Sequence, residues 1–289
     1  MTDAHVHPAD LSLLFPQAEA ERRSLNIACA ASAWSSPECE RNEALAAKAR
    51  DEGAAPVFCC FALHPQLPSA LRRETPGADN PASFSFDDEL EKIRVKARGG
   101  VISAIGETGF DLYNAAFKET ENEQQNLFER HLEIAVSCQL PLVLHVRKAM
   151  HKIFAYTRQL KKAPAVVFHS WSGTYDDGVS LVKRGINAYY SFGTAILLNH
   201  RRARECCGAF PAARLLVESD APYQPPRARE YASYRDCPHI MDGMYNLRRE
   251  NGEKRDELEK IVDENFYRVF NGSVNLFENR QKTEGAGNF

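Results

Sequence analysis

The feature that most constrains the fold is an alternation. Short apolar runs recur along the chain, with segments of helical periodicity between them. The runs at 2–6, 26–33, 57–63, 101–107, 140–146, 165–169, 188–191 and 215–219 read as strands. Between them, 37–52, 87–96, 121–138 and 256–270 read as helices. In 121–138, Leu127, Phe128, Leu132, Ile134 and Ala135 fall on one helical stripe; in 256–270, Leu258, Ile261, Val262, Phe266 and Val269 do the same. Strand then helix, repeated about eight times, predicts a parallel α/β fold, because parallel neighbours need crossover connections. A closed (β/α)8 barrel takes about 250 residues, and the chain has 289. The expectation is a single-domain TIM barrel over 1–272, followed by a polar, flexible tail at 273–289. An open doubly wound sheet is the alternative. Its nucleotide-binding form has no support, because neither G-x-G-x-x-G after the first strand nor G-x-x-x-x-G-K-[ST] is present.

Composition narrows the function classes. Apolar residues are 44% and charged residues 26%, which excludes disorder as a description of the whole chain. No run approaches the roughly 18 apolar residues of a membrane-spanning helix. Met1-Thr2-Asp3-Ala4-His5-Val6-His7 lacks the basic and apolar regions of a secretory signal, so a cytoplasmic location is expected. Lys plus Arg is 36 against 39 Asp plus Glu, a formal charge of −3. A protein that coats nucleic acid by bulk charge would be basic. A nucleic-acid substrate would have to be met by local basic groups or by metal ions. The eight cysteines form no C-x-x-C pair and read as buried free thiols in a reducing compartment.

The chemistry-bearing residues fall at particular places. His5 and His7 lie one residue apart on the first strand, so they share a face. Glu107, His145 and His169 each close a predicted strand, and Asp220 follows one directly. In a parallel barrel the carboxyl ends of the strands converge on one mouth. One histidine at a strand end is ordinarily a satisfied polar residue, and one aspartate a helix cap. Six such groups together are costly to bury unless something pairs with them. Four imidazoles and two carboxylates are nitrogen and oxygen ligands for one or two divalent ions, and by ligand softness they suit Zn or Mn better than Mg.

A carboxylate has two oxygens, which suits Glu107 to bridging. Asp220 suits a catalytic ligand that also takes the proton of an attacking water. Arg147 lies two residues past His145, and His64 closes another strand; both are candidate substrate-binding groups for a phosphate. The insertions at 65–86 and 222–238 follow strands and so belong to the working face. Arg227, Arg229 and Arg235, interleaved with Tyr223, Tyr231 and Tyr234, form a loop able to grip single-stranded nucleic acid.

The motifs Asp3-Ala-His5-Val-His7, Leu63-His64-Pro65, Gly106-Glu107-Thr-Gly109-Phe-Asp111, His145-Val-Arg147, Phe168-His169-Ser-Trp-Ser-Gly173 and Glu218-Ser219-Asp220-Ala221-Pro222, in that order, resemble those of TatD-type metal-dependent deoxyribonucleases, a branch of the amidohydrolase superfamily. The similarity runs from Thr2 to about Phe270. It implies a TIM-barrel hydrolase with two divalent ions. His5, His7 and Asp220 would hold one ion, His145 and His169 the other, and Glu107 would bridge. It also implies 3′-5′ exonuclease-like or other DNase activity, with DNA, single-stranded or at 3′ ends, as substrate, and neither a membrane nor an obligate protein partner. Phe110, Trp171, Ser170 and Ser219 stand where Leu, Phe, Cys and Thr are more usual, and they spare all six ligands. The rivals are an amidohydrolase acting on a small cyclic amide, deaminase or phosphotriester substrate, and a metal-binding barrel without turnover. Glu107, where many amidohydrolases carry a bridging lysine, weighs towards the nuclease.

Overall fold

Eight strands form: β1 Thr2–Val6, β2 Ala28–Ala33, β3 Val57–Phe61, β4 Ile105–Asp111, β5 Leu142–Arg147, β6 Val166–Phe168, β7 Ala188–Phe192 and β8 Leu215–Val217. They are seen in a computed structural model that describes residues 1–74, 84–252 and 254–271. The tail expected at 273–289, and part of the insertion at 65–86, lie outside the described residues. β2 reads Ala-Cys-Ala-Ala-Ser-Ala and is buried along its whole length. Such small residues have little intrinsic strand preference; burial on both faces holds them extended.

All pairings are parallel. β1-β2-β3 form one set and β4-β5-β6-β7-β8 the other. Backbone hydrogen bonds join the two sets at both seams. Ser103 N donates to the Cys59 carbonyl at 2.7 Å, and Phe61 N to that of Ala104. On the other side Asp220 N donates to His5 O at 2.9 Å, and His7 N to Ala221 O at 2.8 Å. The ring is therefore the expected TIM barrel. Its interior is packed by Ala4, Ala28, Ala30, Phe58, Cys60, Ala104, Val143, Val167, Tyr189 and Leu216. The helix Arg255–Phe270 closes the amino end, with Phe266 and Phe270 against Phe58. Met1 N pairs with Asp263 there at 2.9 Å.

The helix Glu121–Cys138 has the expected bounds, and the helix Phe86–Arg98 starts from Ser85, whose side chain accepts from Asp88 N. The chain also forms helices that its periodicity did not mark, among them Pro8–Leu14, Tyr175–Lys183 and Asp236–Arg248. The last takes up the end of the expected irregular stretch 222–238.

Two departures from regular strand geometry matter for the site. β1 shifts register against β2 between Asp3 and Val6, and β4 shifts against β5 between Gly106 and Thr108. Each is a one-residue bulge, which re-aims the side chains beyond it. Ala4 and Ala104 pack in the interior, while Val6, Ile105 and Phe110 pack outside. Strict alternation would then send His5, His7 and Glu107 outward; the bulges bring them in. β4 runs to Asp111, so Glu107 lies within the strand rather than at its end, as the sequence had implied. Gly106 and Gly109 permit this: a Cβ on Gly106 would overlap Val143, and one on Gly109, at φ +134, the His145 backbone.

Candidate metal centre

Six predicted ligands meet at the carboxyl mouth. His5 Nε2 and His7 Nε2 are 3.1 Å apart. Glu107 Oε2 lies 3.2 Å from His5 Nε2 and 3.8 Å from His7 Nε2. Asp220 Oδ1 lies 3.7 and 3.6 Å from the same two nitrogens. The other oxygen of Glu107 serves other partners: Oε1 is 2.7 Å from His145 Nδ1, 2.8 Å from His169 Nε2 and 3.3 Å from His64 Nε2. His5, His7, Glu107, His169 and Asp220 are buried. Donor atoms of His5-His7-Glu107, of His5-His169-Asp220 and of His64-Glu107-His145 each gather within 4.8 Å.

The surroundings set which nitrogen of His5, His145 and His169 faces inward. Ser32 Oγ holds His5 Nδ1 at 3.1 Å. Asp111 Oδ2 holds His145 Nε2 at 3.1 Å, leaving Nδ1 to the centre. Glu218 Oε1 lies 3.6 Å behind His169 Nδ1. A polar partner behind a ligating imidazole sets its tautomer and aim. His7 Nδ1 has no hydrogen-bond partner among the described residues. His64 differs: Gln66 N donates to its Nδ1 at 3.1 Å, so the neutral ring carries its proton on Nε2 and faces the centre as a donor. Arg147 is exposed, with its guanidinium 3.7 Å above the Tyr113 ring centroid and 4.0 Å from Asp111.

Burial and mutual charge shift the groups of the cluster strongly. Burial would raise Glu107, but His169, His64 and His5 hold it well below the usual carboxylate range. Burial would likewise lower His169, but Glu107 and Glu218 keep it well above an ordinary histidine. His7, buried beside His5, drops to about 3. The donor set, nitrogen and carboxylate oxygen around shared space, fits divalent ions.

Several contributors were not legible as such. Asp3, wholly buried, accepts from Ser219 N at 2.9 Å and Ser219 Oγ at 2.6 Å, tying β1 to the segment that carries Asp220. Gln224 Nε2 donates to Asp220 Oδ2 at 2.6 Å. Asp220 itself has φ 50, a left-handed conformation that non-glycine residues adopt rarely outside special sites. His131 accepts from Leu63 N at 3.1 Å through Nε2, and its Nδ1–H donates to Thr108 Oγ1 at 2.8 Å. It thus braces the neighbours of both His64 and Glu107. Its signal was a polar residue on the buried stripe of 121–138. The Arg and Tyr loop differs from expectation: Tyr234 is buried, Arg229 pairs with Asp236, and only Tyr223 of its three tyrosines is exposed.

Burial holds His131 at about 3, with Arg130 adding to the effect. Below pH 6.5 the unfolded chain takes up this proton and the folded chain does not. Stability from a neutral His131 is therefore complete above 6.5 and lost as pH falls, at about 1.4 kcal/mol per unit. Urea unfolding of wild type and His131→Gln should show the variant weaker at pH 7. The gap should narrow by about 2 kcal/mol between pH 6.5 and 5. A constant gap would show that His131 takes up its proton in the fold as readily as in the unfolded chain.

A family model described as TatD related DNase matches residues 2–271. The chain is 31% identical over 222 residues to a 3'-5' ssDNA/RNA exonuclease TatD of Citrobacter koseri, covering 73% of this chain and 78% of that one. A protein of the same description from Cronobacter sakazakii is 34% identical over 199 residues, 65% and 73% of the two chains. In fold the chain is similar to the crystal structure of YJJV, a TatD homologue from Escherichia coli k12, with TM-score 0.76 and 24% identity over 94% and 98% of the chains. A TatD family hydrolase from Entamoeba histolytica aligns at TM-score 0.71 and 14% identity, over 93% and 97%. With the family match spanning nearly the whole barrel and donor groups gathered at its mouth, the chain belongs to the TatD-related DNase family of metal-dependent hydrolases.

Proposed function

We propose that the chain is a two-ion nuclease that cleaves phosphodiester bonds of single-stranded DNA from the 3′ end, in the cytoplasm. The observation that carries this reading is the division of Glu107: Oε2 faces His5 and His7, and Oε1 faces His145 and His169. A carboxylate so divided would suit two ions: His5, His7 and Asp220 would hold one, His145 and His169 the other, with Glu107 shared. Relatives described as 3'-5' ssDNA/RNA exonucleases support the substrate. Eight buried free thiols accord with a reducing compartment. Among the described residues no helix is long and apolar enough to cross a membrane.

When bound, the ions lower the pKa of water and screen charge growing on the phosphate oxygens. The chain's own groups do the rest. Asp220 accepts the proton of the attacking water on Oδ1 while Gln224 holds Oδ2. Glu218 and Asp111 keep His169 and His145 aimed inward. His64 donates to a substrate oxygen through Nε2, and Arg147 meets the phosphate from the rim.

Stripping ions with a chelator should abolish hydrolysis of bis-p-nitrophenyl phosphate and of a labelled single-stranded oligonucleotide. Adding back Mg, Mn or Zn one at a time should restore both, with a binding stoichiometry of two per chain. Hydrolysis of dihydropyrimidines without phosphodiester cleavage would replace this reading with a small-molecule amidohydrolase. Two bound ions without any hydrolysis would make the chain a metal-binding barrel.

A further inference from the structure

Exposed aromatic side chains among the described residues are Trp34, Tyr113, Tyr175, Tyr223 and Tyr267. Their placement is uneven. Trp34, Tyr113 and Tyr223 sit on segments that leave β2, β4 and β8 at the mouth, whereas Tyr267 lies on the helix that closes the other end. Tyr175 is already stacked on Phe210 at 5.5 Å. Large apolar faces left in water around a polar centre point to a ligand that covers them.

Two of these rings are held ready. Tyr223, 51% exposed, stands edge-on to His7 with centroids 5.2 Å apart, and its hydroxyl donates to Asp10 Oδ2 at 2.9 Å. Tyr113, 53% exposed, is anchored by its backbone N–H on Asp111 Oδ1 at 3.0 Å. The Arg147 guanidinium lies over that ring, 3.7 Å from the centroid. Both rings are tied to the centre, one through His7, the other through Asp111 and His145. They stand on opposite rims: β8 and β1 carry one, β4 and β5 the other, four strands apart around a ring of eight.

We propose that Tyr223 on one rim and the Tyr113–Arg147 pair on the other are base-stacking platforms, seating unpaired nucleobases on either side of the phosphate at the metal centre. This rests on the nuclease reading above and supplies its strand selectivity. Every base has a π-face, so stacking grips any sequence. A base inside a duplex has its faces covered by neighbours and cannot reach either platform. With a net charge of −3 the chain has little bulk attraction for phosphates, so stacking carries more of the hold. Arg147 serves twice, offering a planar cation to a base and charge to the adjoining phosphate.

The test uses the full chain. In chelator, where nothing is cut, anisotropy of a fluorescent single-stranded oligo-dT reads binding alone. Tyr113→Ala and Tyr223→Ala should each weaken it about tenfold, while Tyr113→Phe and Tyr223→Phe, which keep the ring, stay within about twofold. With metal restored, each Ala variant should lose several times more kcat/KM on the oligonucleotide than on bis-p-nitrophenyl phosphate, chiefly through KM. Tyr113→Leu and Tyr223→Leu keep bulk without a π-face and guard against a folding defect; they should behave like the Ala variants. Wild-type oligonucleotide binding by the Ala and Leu variants overturns the platforms, as does equal loss on both substrates. Failure of the wild type to hydrolyse either substrate with any ion overturns the nuclease reading instead, and the anisotropy series still decides the platforms.

Discussion

Glu107→Gln should leave the enzyme without measurable turnover, a fall in kcat of at least about 10³-fold, equivalent to about 4 kcal/mol of transition-state stabilisation. The side chain keeps its size, but one carboxylate oxygen becomes an amide NH2. Whichever way the amide turns, either His5 and His7 or His145 and His169 then share their space with a donor instead of an anion. On the two-ion reading, one ion would lose a ligand and the pair its shared carboxylate. Metal analysis should therefore fall from two ions per chain to one or none. The substitution is gentle on the fold, because β4 keeps Gly106, Gly109 and its register against β5. Two retained ions with wild-type kcat would remove Glu107 from the bridging role.

Asp220→Asn tests the proton acceptor rather than the ions. Asparagine still offers one oxygen to the first ion and, like aspartate, tolerates the left-handed backbone at φ 50. It cannot take a proton from water. A loss of 10²- to 10⁴-fold in kcat is expected, of the order that general-base catalysis supplies. The pH profile adds a second check. In the ion-free chain burial pushes Asp220 up to about 6, with His169 and His5 acting in the opposite direction. Bound cations pull it down further. The base must be ionised to act, so wild-type kcat/KM should rise with pH through a midpoint at or below about 6 and then level. The residual rate of the variant should lack that limb. An unchanged rate with the limb intact would assign the proton to another group.

What the sequence made legible was the repeating architecture and which histidines and acids gather at the mouth. Apolar runs such as Val166–Phe168 bury both faces and leave a clear trace, and so does the stripe through Leu127, Phe128 and Leu132. Histidines and acids at the ends of such runs stand out against their apolar neighbours. The bulges in β1 and β4 left no trace, because a one-residue shift is a property of the paired strand, and a single segment does not record its partner. For the same reason Glu218 gave no sign of its role, since it acts on His169 of another strand; Gln224 acts locally, four residues past Asp220, through a loop turn that no periodicity marks. Short helices such as Pro8–Leu14 were missed because seven residues give too few turns to establish a period. Tyr234 read as part of an exposed grip, yet it is buried, because polar neighbours in sequence do not decide which side of a loop faces inward.

The side chains that fill the barrel, with Phe58, Phe266 and Phe270 beneath them, close off any passage through it. A polymer cannot run through it as thread runs through an eyelet. On the nuclease reading, a strand would enter and its severed nucleotide would leave by the one open mouth.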